Sequence, residues 1–210
     1  MHVLLEQGLV IFGQRIAWAE LFGQVFALAV VFLAQRRSLW TWPVQLASVS
    51  LLFVVYLSAD LGGLATRQVV VGLIAVYGWF AWVRRRDPVF GVVVRRGSTL
   101  ERLAVVVAFA VGTVAFALVL DALDASWAPW PDAAIFIGTI LAFALQGIGL
   151  VEFWLVWLAV DAIGVPLQIS SGLYFSAAIY VVFAGLVVYG WIDWNRAARR
   201  TADRRGSLTA

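Results

Sequence analysis

Trp154, Trp157 and Asp161 are spaced at i, i+3 and i+7, so on a helix all three side chains share one face. Two indoles beside a polar side chain can stack on a flat heterocycle and hydrogen-bond its edge, each stack contributing roughly 1–3 kcal/mol by analogy with base–aromatic stacking. Asp161 interrupts an apolar run. An aspartate at the centre of a spanning helix costs about 2.5–3.5 kcal/mol, so it is expected to face a cavity or a partner. Gln45 and Gln68 lie within or at the edge of apolar runs. Their amides can donate and accept toward an amide-bearing ring edge, or tie helices together at about 0.6 kcal/mol per bond.

The missing residue types exclude other chemistry. There is no cysteine and no lysine, and His2 is the only histidine. Disulfides, thiolate metal sites and histidine general-base catalysis are therefore unavailable. No Gly-x-x-x-x-Gly-Lys-Ser/Thr loop occurs, so that route to ATP hydrolysis is closed. The apolar runs contain neither a Ser/His pair nor an acidic metal cluster. The expectation is a protein that is not an enzyme, with no cofactor, no metal and no nucleic-acid partner.

Such side chains must be positioned inside a bilayer. The chain has 210 residues, 63% hydrophobic and 13% charged, with mean hydropathy +0.95, against about 25% charged in soluble domains. Seven apolar runs are expected to span, near Trp18–Ala34, Leu39–Ala59, Gln68–Val83, Leu103–Leu120, Ala133–Leu145, Val151–Leu167 and Leu173–Trp191. They use roughly 140 residues at about 20 each and leave no room for a soluble domain. Gln146-Gly-Ile-Gly149 makes a tight connection, and Pro43 and Pro166 can bend the second and sixth spans. Met1–Glu6 lacks a basic segment and does not read as a cleaved signal peptide. Phe12-Gly-Gln-Arg15 is expected at the interface. Trp18, Trp127, Trp130, Trp191 and Trp194 fall near span ends, where aromatic belts lie.

Arginine orients the spans. Arg36, Arg37, the cluster Arg84–Arg102 and the tail Arg196–Arg205 fall on one side, and Arg15 and Arg67 on the other. The positive-inside rule then predicts an external N-terminus and a cytoplasmic C-terminus in the cell membrane. The net charge of +3 follows from arginines facing anionic lipid.

A shift of 112 residues superposes the chain on itself without gaps. Tyr77-Gly-Trp-Phe-Ala-Trp82 falls on Tyr189-Gly-Trp-Ile-Asp-Trp194, and Trp18, Glu20 and Trp42 fall on Trp130, Asp132 and Trp154. Three spans are therefore duplicated, with the fourth as connector. An odd unit joined by one extra span runs in parallel with its copy, and such repeats place a path at their interface. Gln45 meets Trp157 and Gln68 meets Tyr180, so Trp42 and Tyr180 join the candidates on a path with unlike halves. The divisions are 1–16 external or interfacial, 17–86 first repeat, 87–127 loop and connector, 128–195 second repeat and 196–210 cytoplasmic tail.

The motifs Arg37-Ser-Leu-Trp-Thr-Trp-Pro, Gln68 before Tyr77-Gly-Trp-Phe-Ala-Trp82, and Glu152-Phe-Trp154-Leu-Val-Trp157 with Asp161 resemble the PnuC family of vitamin transporters. The resemblance runs from about Trp18 to Trp194. It implies an all-α membrane fold of seven helices in a 3+1+3 parallel repeat, often trimeric. It also implies facilitated uptake of a B-vitamin or precursor, such as nicotinamide riboside, riboflavin or thiamine, trapped by cytoplasmic phosphorylation. A carboxylate at Asp161 would attract a cationic pyridinium. Nicotinamide-riboside members resembled here have asparagine at that place, and the resemblance implies the riboflavin-type branch. Alternatives are a nicotinamide riboside carrier, a binding subunit dependent on a separate ATPase, and a sugar transporter of similar architecture.

Overall fold

A computed structural model describes residues 8–11, 14–58, 62–87, 91–172 and 174–208. His2, Glu6, Phe12, Ala59 and Leu173, which figure in the expectations above, lie outside the described residues. Seven helices run through the described chain: α1 Trp18–Gln35, α2 Thr41–Ser58, α3 Gly62–Arg84, α4 Thr99–Ala122, α5 Pro129–Gly147, α6 Phe153–Ser170 and α7 Tyr174–Leu208. Two short antiparallel hairpins complete them, β1 Gly8–Ile11 with β2 Gln14–Ala17, and β3 Arg86–Asp87 with β4 Gly91–Val92. Among the described residues five helices are long and apolar enough to cross a membrane, and Val25–Gln35 and Thr41–Val54 are shorter apolar stretches.

The 112-residue shift is built into the helices. It carries Thr41–Ser58 onto Phe153–Ser170, and the first residue of α3, Gly62, onto the first of α7, Tyr174. The turn after each copy's first helix is also repeated. Ser38 N–H donates to Leu33 O and Arg37 N–H to Ala34 O, while Leu150 N–H donates to Leu145 O and Gly149 N–H to Gln146 O. Both turns need a left-handed residue in this Schellman arrangement. Gly149 supplies it at φ 74° and Arg37 at φ 53°. Glycine is the only fit in the second copy, because a Cβ on Gly149 would lie 2.9 Å from Val93 O.

Packing closes a ring in the order α1, α2, α3, α5, α6, α7 and back to α1. The helices α2 and α6 sit opposite one another in it. The connector α4 leans on α5 from outside the ring, and almost none of its apolar surface is buried. Its start is set by a capping box: Ser98 Oγ accepts from Glu101 N–H, and Glu101 Oε2 accepts from Ser98 N–H.

Four expectations need correction. The last helix does not stop near Trp191 but continues to Leu208, because the segment beyond it is rich in arginine and alanine, both good helix formers. Arg67 belongs to α3 rather than to a loop; its guanidinium donates to Thr139 Oγ1 at 3.4 Å, which offsets part of the cost of placing it there. Pro43 does not bend α2, since it sits in the first turn, where its missing N–H breaks no helical bond. Trp194 is not a belt residue: it is fully buried, for the reason given next.

Candidate functional site

The second and third helices of each repeat bring tryptophans 112 residues apart to the arginine-rich end of the ring. Trp42, Trp82, Trp154 and Trp194 are all buried. Trp42 meets Trp82 edge to face at 5.2 Å, Trp82 lies 6.0 Å from Trp194, and Trp194 meets Trp154 edge to face at 5.9 Å. Trp82 Nε1 donates to Gln146 O at 2.8 Å and Trp194 Nε1 to Ala34 O at 3.1 Å. These two bonds are equivalents under the 112-residue shift, and each crosses from one repeat to the other. Trp42 seats on Gly78 and Trp154 on Gly190, again as equivalents: a Cβ on Gly78 would overlap the Trp42 ring, and one on Gly190 would come within 2.6 Å of the Trp154 ring. The result is a buried aromatic floor, symmetric about the axis between the repeats.

A loop braces this floor from outside. Arg95 N–H donates to Gly149 O and Arg95 O accepts from Val151 N–H, forming a parallel bridge opposite Leu150. Glu152 accepts from Gly97 N–H and from Arg102 Nε, each at 2.9 Å. Arg95 holds Glu101 through two bonds of 2.6 and 2.8 Å.

Above the floor the two opposed helices present matched faces. Trp42, Gln45 and Val49 on α2 correspond under the repeat to Trp154, Trp157 and Asp161 on α6. At about 1.5 Å rise per residue, Trp157 stands roughly one turn above the floor and Asp161 near mid-helix. Trp157 is partly buried and meets Phe143 edge to face at 5.3 Å. Asp161 is only 5% exposed, and its Oδ2 has no hydrogen-bond partner in the protein. The indole N–H groups of Trp42 and Trp154 are likewise buried without partners. Gln45 and Gln68 are buried as well.

Tyr180, on α7, leans on Gly164 of α6, where a Cβ would overlap its ring. It lies within electrostatic reach of Arg67 and Asp161. Asp161, Tyr180 and Arg67 thus form one polar layer, tied to α5 through Thr139. Arg67 and Thr139 escaped the sequence reading. Arg67 directly precedes Gln68, and an arginine at the edge of an apolar run was the available signal. The region thus holds one partly buried indole, Trp157, two buried N–H donors on Trp42 and Trp154, and a buried acceptor on Asp161. No group of three or more metal-ligating side chains occurs among the described residues.

Residues 17–196 match the nicotinamide mononucleotide transporter family, which is most of the chain. The protein belongs to that family. Among relatives, this transporter is 45% identical to the riboflavin/roseoflavin transporter RibM of Streptomyces davaonensis over 95% of both chains. It is 22% identical to the nicotinamide riboside transporter PnuC of Escherichia coli (strain K12), over 97% of this chain and 94% of that one. The crystal structure of the vitamin B3 transporter PnuC superposes with a TM-score of 0.70 at 23% identity, covering 87% of this chain and 83% of the other. That likeness establishes the fold.

Proposed function

We propose that this family member carries riboflavin into the cell by facilitated diffusion, the vitamin lying between α2 and α6 above the tryptophan floor. The observation that carries the substrate is the 45% identity to a riboflavin/roseoflavin transporter along nearly the whole of both chains. The chemistry of the layer is consistent with it. A flavin ring is wide and flat, matching Trp157. Its imide N–H can donate to the unpartnered Asp161 Oδ2, and the amides of Gln45 and Gln68 can donate to the flanking carbonyls. The uncharged ribityl tail asks for no buried cation. Trapping would follow from phosphorylation in the cytoplasm.

The substrate test is fluorescence titration of riboflavin with the purified protein. Quenching should saturate, and nicotinamide riboside should not reverse it. Saturable nicotinamide riboside binding without flavin quenching would overturn the reading in favour of the cationic ligand, which the Asp161 carboxylate would attract. The same protein in liposomes should equilibrate labelled riboflavin unaided; binding without uptake would assign a subunit needing a separate ATPase.

The arginine-rich end is proposed to face the cytoplasm, with the N-terminus outside. The support is the arginine asymmetry, which places Arg84–Arg102 and Arg196–Arg205 at one end. Alkaline phosphatase fused after Ala210 should be inactive; an active fusion in the periplasm would invert the topology.

A further inference from the structure

A cleft of about 490 Å³ lies outside the ring, between the connector α4, α6 and the late part of α7. Its walls are apolar, with Val105 and Phe109 from α4 and Leu155 and Ala159 from α6. Leu155 and Ala159 are exposed and on the face of α6 away from Trp154, Trp157 and Asp161, so the cleft is separate from the interior layer. Its head is polar, formed by Arg96, Arg102, Glu152 and Asn195 beside Trp191. Phe109 is ten residues into α4, about 15 Å below the helix start at 1.5 Å per residue. That depth is half of a hydrocarbon core of about 30 Å. The cleft therefore has the length of one leaflet, with its polar end at the arginine-rich surface.

The head carries one uncompensated positive charge. Arg102 is neutralised by Glu152 at 2.9 Å, and nearby Arg95 by Glu101. Arg96 instead donates its Nε to the neutral Asn195 Oδ1 at 2.8 Å. Asn195 is held in turn by its own amide, which donates to Trp191 O at 2.9 Å. Among the described residues no carboxylate pairs with Arg96. Its side chain is thus oriented by a fixed amide while its remaining N–H groups stay available to an acceptor at the head of the cleft.

We propose that this cleft binds an anionic phospholipid, its phosphate on Arg96 and one acyl chain along Val105, Phe109, Leu155 and Ala159. The leaflet concerned is the cytoplasmic one, which rests on the orientation proposed above; the binding itself does not, and is measured without it. Charge complementarity identifies the occupant. A zwitterionic lipid would fill the apolar walls equally well but gain less from Arg96, since attraction of one basic residue for anionic lipid corresponds to about fivefold in affinity.

The test is native mass spectrometry of the purified full chain titrated with phosphatidylglycerol, phosphatidylcholine or inorganic phosphate. Phosphatidylglycerol should bind about fivefold or more tighter than phosphatidylcholine. Arg96→Gln should erase that preference, Arg96→Lys should keep it, and riboflavin quenching should be unchanged in both. Leu155→Trp, which fills the cleft, should weaken both lipids. Equal binding of the two lipids by the unmodified protein, or a preference that survives Arg96→Gln, would overturn the proposal. So would inorganic phosphate displacing phosphatidylglycerol at equal concentration, which would leave a phosphate site without a lipid. The chain has no cysteine, so Val106→Cys reports on a competing occupant. Efficient disulfide cross-linking between copies through it would assign the cleft to a second protomer and also overturn the proposal.

Discussion

Gly78→Leu should give no recoverable folded transporter, and Gly78→Ala should lower stability by about 1–3 kcal/mol, as overpacking of a filled core does. Trp42 is fully buried, and its ring occupies the space that a Cβ on Gly78 would need. The Trp42 ring cannot swing away freely, because Trp82 holds it edge to face at 5.2 Å. The backbone cannot yield easily either. A Cβ on Gly147 would already be 3.2 Å from the Gly78 Cα, so α3 and α5 cross here at close range. Gly190→Ala should behave like Gly78→Ala, since Trp154 stands on Gly190 as Trp42 does on Gly78. Gly185→Ala is the control: nothing lies within 4 Å of its added Cβ, and alanine favours helix by about 1 kcal/mol over glycine. Thermal unfolding in detergent reads all three alanine variants. If Gly78→Ala melts with the unmodified protein while Gly185→Ala does too, the tryptophan–glycine seats do not hold the second and third helices of each repeat together.

Trp157→Ala should weaken riboflavin binding at least tenfold, the loss of one stacking face contributing roughly 1–3 kcal/mol. Trp127→Ala should leave it unchanged, because Trp127 is 73% exposed on the loop before α5. The structure makes Trp157 the informative member of its motif. Trp154 is wedged against Gly190 and touches Phe153 and Trp194, so truncating it would disturb the floor and the ligand together. Trp157 is only partly buried and leans on a single ring, Phe143. Its loss should therefore appear in affinity while the melting temperature moves little. Fluorescence titration beside thermal unfolding separates the two effects. Equal affinities for the Trp157→Ala and Trp127→Ala proteins would mean that the site lies elsewhere.

What the sequence by itself determined was whatever is written locally or at constant offset. Hydropathy runs mark spanning helices because each must satisfy its backbone internally in lipid. The duplication is visible because Tyr77–Trp82 and Tyr189–Trp194 keep their identities 112 residues apart, and the same register sets where α2 and α6 begin and end. The family followed from motifs of the same local kind. Only the tertiary structure decided which tryptophan does what. Trp194, Trp191 and Trp130 are alike in sequence position near span ends, yet Trp194 is buried while Trp130 is 54% exposed. In a soluble protein an apolar face points inward; in a bilayer the outer face is just as apolar, because lipid tails give no penalty for exposing it. Hydropathy therefore does not tell floor from belt. The roles of Gly78 and Gly190, the cross-repeat bonds of Trp82 and Trp194, and the placing of Arg67 and Tyr180 near Asp161 all depend on residues that sit on different helices and are as far apart in sequence as Ala34 and Trp194. Such arrangements exist once six helices close into a ring, and side-chain geometry across that ring is information that no single span carries.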